Sequence, residues 1–321
     1  MKLYPLTFEP IYKDYIWGGE RIRALYRPHL PPGVLAESWE IADREEGVSR
    51  VTAGPLAGMS LTELMARERV RIAGGAAAAG RFPLIVKVLD VAQRTSLQVH
   101  PRHRAQGNEP KNEMWVALEG MAPSRLLAGL RPGVTRQDFE EALREQRIES
   151  VVRAYPVRAG EAFDLPGGRV HAADAGCLLF EVQQNSNTTY RVFDWDRRDA
   201  GGDLRPLHLD QALAAIDWQD RDTALLQPRR LSQGGGVERE LVLQSPHFRV
   251  ERVRIETPWS LLPDPRSFRL LFALSGEVVA RGGEGEARLA ACTTCLLPAA
   301  LEGCEIVPLH GRPAEFLLTT L

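Results

Sequence analysis

Four side chains of metal-ligating type stand in the middle of the chain. Gln98 and His100 are two residues apart, Glu113 follows, and His171 ends a Pro-x-Gly-x-x-His run. On a β-strand, a spacing of two sends both side chains to the same face of the sheet. One amide, two imidazoles and one carboxylate can close around a divalent ion and leave room for water or a substrate. The spacing therefore predicts one metal site inside a β-barrel.

The set of ligands matters more than any one member, because a single histidine on a strand is more often packed or exposed than bound to metal. Gln98 and His100 share one face of a predicted strand. The run Gly-x5-Pro-x-Gly-x2-His, from Gly160 to His171, predicts a turn leading into a strand whose first inward side chain is an imidazole. Together these features favour a metal site over isolated core histidines.

Two basic residues in strand-like segments also invite a functional interpretation. Lys87 interrupts the apolar run Phe82–Leu89, where a lysine either reaches the sheet edge or points into a polar cavity. Arg191 either forms a surface ion pair with Asp194 or Asp196, or serves a buried site. The residue types alone leave both alternatives open.

Short apolar runs broken by glycine and proline predict a mainly β chain with a few helices. Strands are predicted at residues 3–8, 82–89, 95–100, 113–118, 125–130, 161–165, 170–172, 178–184, 188–193, 248–255, 268–274, 277–280, 287–289, 294–297 and 314–318. Helices are predicted at residues 61–73, 135–152 and 207–216. The first two begin with capping boxes, Ser60 with Glu63 and Thr135 with Asp138.

The distribution of these elements predicts two domains. Residues 1–235 hold all four candidate ligands and the helices, and residues 236–321 repeat the strand pattern without comparable ligands. A polar and then glycine-rich stretch at about 220–238, ending in Gly234-Gly235-Gly236, is the expected linker.

Composition excludes several classes of function. The chain has 321 residues, a formal net charge of -2 and no basic stripe, so a nucleic-acid partner is not expected. No apolar run approaches the roughly 18 residues of a membrane span, and no signal peptide opens the chain. Four cysteines do not form a disulfide framework, and Cys292 and Cys295 lack a second Cys-x-x-Cys to complete a metal site. These features predict a reduced, cytoplasmic protein.

The turn before His171 resembles the second motif of the cupin superfamily, and Gln98-x-His100 stands where the first cupin motif has His-x-His. This departure resembles one family, the type I mannose-6-phosphate isomerases in their short bacterial form. The resemblance covers most of the chain and is loose over the last 80 residues. It is carried by the stretches at residues 17–19, 36–40, 82–90, 98–101, 111–115, 166–171 and 181–195.

The resemblance implies a fold and a set of roles. The fold would be mainly β, with two cupin-like β-barrel (jelly-roll) domains and a few peripheral α-helices. One Zn²⁺ per chain would be held by Gln98, His100, Glu113 and His171. The implied catalytic residues are Arg191 and Lys111, and the implied substrate-binding residues are Lys87, Glu37 and Trp17.

The implied activity is zinc-dependent interconversion of mannose 6-phosphate and fructose 6-phosphate through an enediol. The alternatives are a metal-binding cupin that holds a sugar or sugar phosphate without catalysis, an iron oxygenase, and an isomerase for another sugar phosphate. The proton-shuttling base stays open among Lys111, Glu37 and a metal-bound water. The in-cell metal, the oligomeric state (monomer or homodimer), the role of the C-terminal domain and the substrate range stay open as well.

Overall fold

The computed structural model describes residues 2–77, 80–104, 108–120, 123–199 and 201–321. In these ranges the chain is built mainly from strands, numbered here in chain order. The first fourteen are β1 Leu6–Thr7, β2 Ile11–Lys13, β3 Glu37–Ile41, β4 Asp43–Arg44, β5 Gly47–Val48, β6 Leu84–Val91, β7 Leu97–Val99, β8 Glu113–Gly120, β9 Arg125–Leu130, β10 Val152–Pro156, β11 Ala162–Leu165, β12 His171–Ala173, β13 Cys177–Gln184 and β14 Tyr190–Phe193. The other ten are β15 Arg229–Gly234, β16 Val237–Gln244, β17 Arg249–Ile255, β18 Trp259–Leu261, β19 Arg269–Ser275, β20 Val278–Gly282, β21 Gly285–Leu289, β22 Thr294–Leu297, β23 Cys304–Pro308 and β24 Ala314–Thr320.

Helices are few and short. The α-helices are α1 Leu61–Ala73, α2 Arg136–Arg144 and α3 Leu209–Ala215, and single turns of π-helix and 3-10 helix lie at Ile22–Tyr26 and Ile148–Ser150. No helix in the described ranges has the length and apolar character needed to cross a membrane.

The chain forms two compact units, and each unit is built from segments that are not consecutive in the sequence. Unit 1 comprises the described residues of Met1–Ile11, Trp39–Val86 and Gln227–Leu321, and unit 2 comprises the described residues of Tyr12–Ser38 and Lys87–Leu226. The division at residue 235 into a catalytic and a metal-free domain stays a prediction.

Unit 1 is dominated by an antiparallel sheet of seven strands in the order β1-β22-β19-β24-β17-β16-β15, with a four-stranded sheet β18-β23-β20-β21. Helix α1 begins and ends as predicted. Ser60 Oγ accepts a hydrogen bond from the Glu63 N–H, and a Glu63 carboxylate oxygen accepts one from the Ser60 N–H at 2.8 Å. This reciprocal cap satisfies two donors that an uncapped helix would leave without partners.

The glycine-rich end of the linker predicted at about 220–238 forms a hairpin, although the chain does pass from unit 2 to unit 1 between Leu226 and Gln227, inside the predicted stretch. Gly234 pairs with Val237 across the antiparallel β15–β16 hairpin, and Gly235 and Gly236 form its turn with φ of +59° and +74°. Two consecutive positive φ values match the right-handed twist of the hairpin, and glycine adopts them without the strain of a Cβ. A glycine run therefore marks a tight turn here, where composition suggested a flexible spacer.

Unit 2 has two sheets that enclose an apolar core. One has five strands in the order β10-β9-β12-β7-β14, and the other contains, as neighbours, β11, β8, β13 and the part of β6 from Lys87 onward. Leu126 and Ala128 from β9 share a buried cluster with Trp115 from β8 and Leu179 from β13. The predicted jelly-roll character is confirmed, and because the two sheets are separate in their hydrogen bonding, the barrel is a sandwich of two sheets that is not closed.

The outer face of the five-stranded sheet is covered by α2 and α3. Phe139 from α2 and Ala212 from α3 pack in one buried cluster with strand residues of β7, β9 and β14. Helix α2 ends at Arg144, well before the predicted residue 152, because Gln146 takes a positive φ of 54° and the chain then turns into β10. The apolar residues that suggested a longer helix belong instead to this turn and strand.

Candidate active site

The strands of unit 2 bring the four predicted metal ligands to one place. His171 on β12 lies directly opposite Gln98 on β7 in the antiparallel register. His100 is the residue immediately after the end of β7. His171 Nε2 lies 3.0 Å from Glu113 Oε1, and His100 Nε2 lies 3.4 Å from Glu113 Oε2. Gln98 Nε2 is 3.2 Å from His171 Nε2. Both imidazoles and the Glu113 carboxylate are buried, and their ligand atoms all lie within 4.8 Å of one another.

The glycine turn before His171 is held against the backbone of the other ligand strand. The Gly168 N–H donates to the His100 carbonyl at 2.8 Å. A Cβ at Gly167 would lie 2.6 Å from the Pro101 carbonyl oxygen, closer than any side chain tolerates. This close approach of two backbones explains why the turn needs glycine and why His171 arrives beside His100.

Hydrogen bonds behind the two histidines orient their inner nitrogens. His100 Nδ1 is 2.9 Å from the Thr188 carbonyl, and His171 Nδ1 is 2.9 Å from the Arg169 carbonyl. A carbonyl only accepts, so Nδ1 of each neutral ring carries the proton and Nε2 presents a lone pair. Both lone pairs then face the Glu113 carboxylate.

These converging acceptors are the observation that fits a cation. Across the described residues, His100 Nε2 and both Glu113 carboxylate oxygens have no hydrogen-bond partner, although all three atoms are buried. Buried acceptors that face one another at 3.0–3.4 Å repel unless positive charge lies between or beside them. Turning over the Gln98 amide would present its oxygen to the same centre. Two imidazoles, a carboxylate and an amide form a donor set that suits Zn²⁺.

The surroundings hold these ligands in their metal-binding protonation states. Burial, with Lys111 adding to it, lowers the pKa of His100 to about 3. Burial alone would raise the pKa of the Glu113 carboxyl, but Lys111 and His100 hold it well below its usual range. The centre is therefore formed by a neutral His100 and a carboxylate at neutral pH.

A pocket of about 310 Å³ opens beside this centre within unit 2. It includes the predicted residues Trp17, Glu37, Lys87, Gln98, Lys111 and Arg191, and its other lining residues are Tyr15, Leu89, Thr95, Ser96, Trp115, Glu181, Asn187, Thr189 and Arg205. The volume is at the lower end of the range for small-molecule sites.

Charged side chains alternate in sign along one wall of the pocket. Lys111 Nζ lies 2.7 Å from Glu113 Oε2 and 3.9 Å from Glu181 Oε1. Lys87 Nζ lies 3.2 Å from the same Glu181 oxygen and 3.3 Å from Glu37 Oε2. Burial alone would lower the pKa of Lys87, but Glu181 and Glu37 raise it above its ordinary value, so Lys87 is an ammonium. A lysine that burial alone would neutralise is thus kept charged by its neighbours.

Glu181 is the member of this wall that sequence reasoning missed. It lies on β13 beside Trp115 of β8, and the Trp115 Nε1–H donates to its carboxylate at 2.8 Å. Burial raises the pKa of Glu181 and the charge of Glu113 adds to this, against the effect of Lys87. The available signal was an acidic residue inside a buried apolar strand, the same anomaly that marked Lys87.

Arg191 on β14 lies beside the metal centre. It is paired in register with Gln98, so the two side chains leave neighbouring strands at the same level. Its Nη1 donates to the Pro206 carbonyl at 2.7 Å, and its buried Nε has no hydrogen-bond partner in the described chain. Burial, with Arg205 adding to it, lowers the pKa of Arg191.

The ion pair that was the structural alternative for Arg191 does not form within the described residues. Asp194 instead accepts from Arg205 Nε at 2.7 Å and from Arg197 Nη2 at 2.7 Å. Arg205, which the sequence analysis passed over, also lines the pocket. The pocket thus contains two guanidinium groups, and Asp194 is bound to one of them.

The cysteines take no part in this site. All four are buried, and none of them forms a disulfide bond within the described residues. Burial raises the pKa of Cys177 to about 12, which keeps its thiol protonated. This agrees with the interpretation of the cysteines as structural thiols.

Comparison with known proteins gives consistent matches. Residues 6–119 match the profile of a family described as "Phosphomannose isomerase type I, catalytic domain". The chain is 35% identical over 222 residues to the mannose-6-phosphate isomerase ManA of Bacillus subtilis strain 168, a match covering 68% of this chain and 69% of that protein. It is 30% identical over 279 residues to the probable mannose-6-phosphate isomerase GmuF of the same organism, covering 85% and 86%.

Solved structures share the fold. The crystal structure of mannose 6-phosphate isomerase from Bacillus subtilis superposes with a TM-score of 0.89 and 26% identity over 99% of this chain and all of that one. A mannose 6-phosphate isomerase from Salmonella typhimurium, solved with fructose 6-phosphate and zinc, superposes with a TM-score of 0.75 over 98% of each chain. Its identity is 17%, so this second likeness is one of fold.

Proposed function

The chain belongs to the type I phosphomannose isomerase family, and we propose that the pocket of unit 2 is its active site for interconverting mannose 6-phosphate and fructose 6-phosphate. The observation that carries the proposal is the set of buried acceptors with no hydrogen-bond partner among the described residues, His100 Nε2 and both oxygens of Glu113, at the end of a pocket lined by Arg191 and Lys111. A pure binding protein would have no use for a half-buried guanidinium and a lysine beside a metal centre.

Gln98, His100, Glu113 and His171 hold one Zn²⁺ in this proposal. Their donor types and the neutral His100 support the assignment, and the net charge with one carboxylate stays positive by about one unit. When bound, the ion supplies Lewis-acid stabilisation of negative charge on the sugar oxygens at C1 and C2.

The reaction moves one proton between C2 and C1 and a second between the oxygens on those carbons. As the C–H bond breaks, its electron pair enters the enediol and negative charge develops on a sugar oxygen. Arg191 provides fixed donors for that charge, because its Nε is buried without another hydrogen-bond partner in the described chain. Its hydrogen bond to Pro206 sets the orientation of the guanidinium before the substrate arrives.

Lys111 and Glu181 extend this arrangement. The Lys111 ammonium touches Glu113 and approaches Glu181, so it can offer an N–H to a sugar oxygen while it neutralises the ligand carboxylate. Lys87 and Glu37 lie at the other end of this alternating wall, and in this proposal they bind the sugar together with Trp17. Arg205 is a further group for the dianionic phosphate, since only its Nε and Nη2 are engaged by Asp194.

All of these groups lie within residues 1–235, which supports the functional division of the chain into a catalytic part and a metal-free part at residues 236–321. Four buried cysteines with no disulfide bond among the described residues support a reducing, cytoplasmic location. Both statements remain proposals, separate from the two compact units described above.

The test of the activity is conversion of mannose 6-phosphate to fructose 6-phosphate by the purified chain before and after treatment with a chelator. We expect the activity to vanish on metal removal and to return with Zn²⁺, whereas a sugar-binding protein would give no product in either state. Full activity in metal-free protein would contradict the role of the cluster, and no product with saturating Zn²⁺ would contradict the isomerase.

The proton-carrying base can be separated from the other groups by isotope exchange. The enzyme is given mannose 6-phosphate labelled with deuterium at C2, and loss of the label to water is compared for Lys111→Met and Glu37→Gln. The variant that has lost its base loses exchange and turnover together. If both variants keep normal exchange, neither residue carries the proton.

A further inference from the structure

Unit 1 contains a pocket of about 720 Å³ that has no part in the proposed reaction. Its lining includes four arginines, Arg239, Arg249, Arg266 and Arg269. The lining carboxylate side chains are two, so four positive and two negative side chains leave a formal charge of +2 (4 − 2). Lysine and histidine are absent from this lining. The pocket is therefore a guanidinium-rich cavity of metabolite size.

Two of these arginines are fixed by one shared carboxylate. Glu251 on β17 accepts from Arg239 Nε and Nη2 at 2.9 and 2.6 Å, and from Arg249 Nε at 2.8 Å. The Glu251 side chain is only 7% exposed, so both guanidinium groups are held in place before any ligand binds. Such preorganised donors lose little conformational freedom when they bind an anion.

Arg269 differs from them because it has no carboxylate partner in the part of the chain that the structure describes. Its Nη2 donates to the Leu262 carbonyl at 2.7 Å, and no ion pair within 4.0 Å is formed. Burial lowers the pKa of Arg269, the charge of Asp264 opposes this effect, and the nearby Arg239 adds to it. A half-buried guanidinium with like charge beside it and no ion pair within 4.0 Å in the described chain is an unfavourable arrangement that a bound anion would relieve.

The wall of the pocket also offers apolar surface. Trp259 on β18 lines it, and the Arg239 guanidinium lies 5.5 Å from the centre of the Trp259 ring. Leu262, next to the end of β18, is 77% exposed, the largest exposure of any bulky apolar residue in the described chain. Exposed apolar surface beside fixed cations suits a ligand with a ring at one end and an anion at the other.

We propose that this pocket binds a phosphorylated metabolite with a planar ring, of the nucleotide class, with its phosphate against Arg269 and its ring against Trp259 and Leu262. The phosphate matches the planar fork of the guanidinium group, which binds two oxygens at once. The cavity is too large for inorganic phosphate alone to fill. The site is distinct from the proposed active site because none of its lining residues lines the pocket of unit 2.

The test measures the direct binding of AMP, ADP and inorganic phosphate to the whole zinc-loaded chain, with calorimetry and tryptophan fluorescence as the two methods. We expect a nucleotide to bind with a Kd below about 1 mM, at least tenfold more tightly than inorganic phosphate, because the ring adds contacts. Arg269→Gln should weaken this binding at least tenfold, and Arg269→Lys should weaken it less because it keeps the charge without the fork.

Two controls separate this site from the active site and from general effects. Arg281→Gln removes an exposed arginine of unit 1 that pairs with Glu286 at 3.1 Å outside the pocket, and it should leave nucleotide binding unchanged. Arg191→Ala should also leave it unchanged. Binding that is absent in the unaltered chain, that survives Arg269→Gln, or that is lost in Arg191→Ala would overturn the proposal. Because the readout is binding, this result is independent of whether the chain is an isomerase.

Discussion

The pockets of the two units are both lined by charged side chains on strands, yet only the pocket of unit 2 lies beside a set of converging lone pairs in the described residues. In unit 2, His100 Nε2 and both Glu113 oxygens are buried without hydrogen-bond partners in the described residues. In unit 1, the buried Glu251 carboxylate is bound on both oxygens by Arg239 and Arg249. The same kind of sheet thus presents converging lone pairs that suit a divalent cation in unit 2 and guanidinium groups that suit an anion in unit 1. The difference lies in which side chains the strands present.

The largest expected effect comes from removing one of the converging lone pairs. Glu113→Gln replaces the carboxylate between the two histidines with an amide of the same shape, so the ligand charge is lost and Lys111 loses its counterion. We expect loss of bound zinc and of all measurable isomerisation. Zinc content by elemental analysis and product formation give the two readouts.

A histidine in unit 1 provides the matched control for that experiment. His310 is exposed and pairs with Glu277 at 3.7 Å. His310→Ala should therefore keep both zinc and activity. If Glu113→Gln retained a full equivalent of zinc with normal turnover, the assignment of the metal centre to the converging lone pairs of unit 2 would be wrong.

The next largest effect is expected at Arg191, the guanidinium of the unit 2 pocket that forms no ion pair with a carboxylate among the described residues. Arg191→Ala should lower kcat by about 10²–10³-fold, because donors aimed at developing charge have effects of this size. KM should change much less, and the zinc content should stay at one per chain. Arg198→Ala, which removes an exposed arginine bound only to the Gly202 carbonyl, is the control. Turnover near normal in Arg191→Ala would exclude this residue from the reaction.

The neighbouring guanidinium sharpens the comparison further, because we assign it to substrate binding and not to the chemical step. Arg205→Ala should raise KM for mannose 6-phosphate by about 10–100-fold, the value of one charge-assisted hydrogen bond, with kcat changed less. Arg205→Lys should restore part of the loss. A fall in kcat with unchanged KM would move Arg205 from phosphate binding to catalysis.

The sequence predicted the metal centre better than the wall of charges around it. Gln98 and His100 were identified because a spacing of two on a strand fixes a shared face, which is a local property of the chain. Glu181 lies in the pocket because β13 pairs with β8 in a register that puts it beside Trp115, and Arg205 lies there because a loop returns to β14. Such pairings are set by long-range packing, which spacing within one segment does not encode.

The fold was predicted in a similar way. Helix α1 was predicted at its observed bounds because its capping box is local, and the class was predicted because turns and apolar runs are local. The end of α2 and the β15–β16 hairpin were missed for one reason. Apolar residues near Ile148 and the glycines at 234–236 have more than one local solution, and contacts with distant strands decide between them.

The smallest expected effect tests whether every buried group with a shifted pKa in unit 2 takes part in the reaction. Asp164 on β11 lies outside the pocket, and burial raises its pKa to about 6, with Asp220 adding to the rise against the effect of Arg169. A carboxyl group that binds its proton more tightly in the folded chain than in the unfolded chain contributes stability below its unfolded pKa. That contribution is lost as the pH rises through about 6. Asp164→Asn keeps the shape and removes the titration.

Asp164→Asn should therefore raise the free energy of unfolding at pH 7.5 by about 1–3 kcal/mol, and the gain should fall to nearly zero by about pH 3, below the unfolded pKa of about 3.9, where the carboxyl is neutral in both states. Denaturant unfolding at the two pH values measures this, with the exposed Asp14→Asn as the control. Isomerase activity should stay unchanged, since Asp164 is neither one of the candidate ligands nor one of the pocket-lining residues. A stabilised variant with normal turnover would show that a perturbed carboxyl alone does not identify the active site, whereas buried acceptors converging on one point do. A fall in activity would instead show that Asp164 takes part in the reaction. An equal change in stability at both pH values would show that the Asp164 carboxyl does not have a raised pKa.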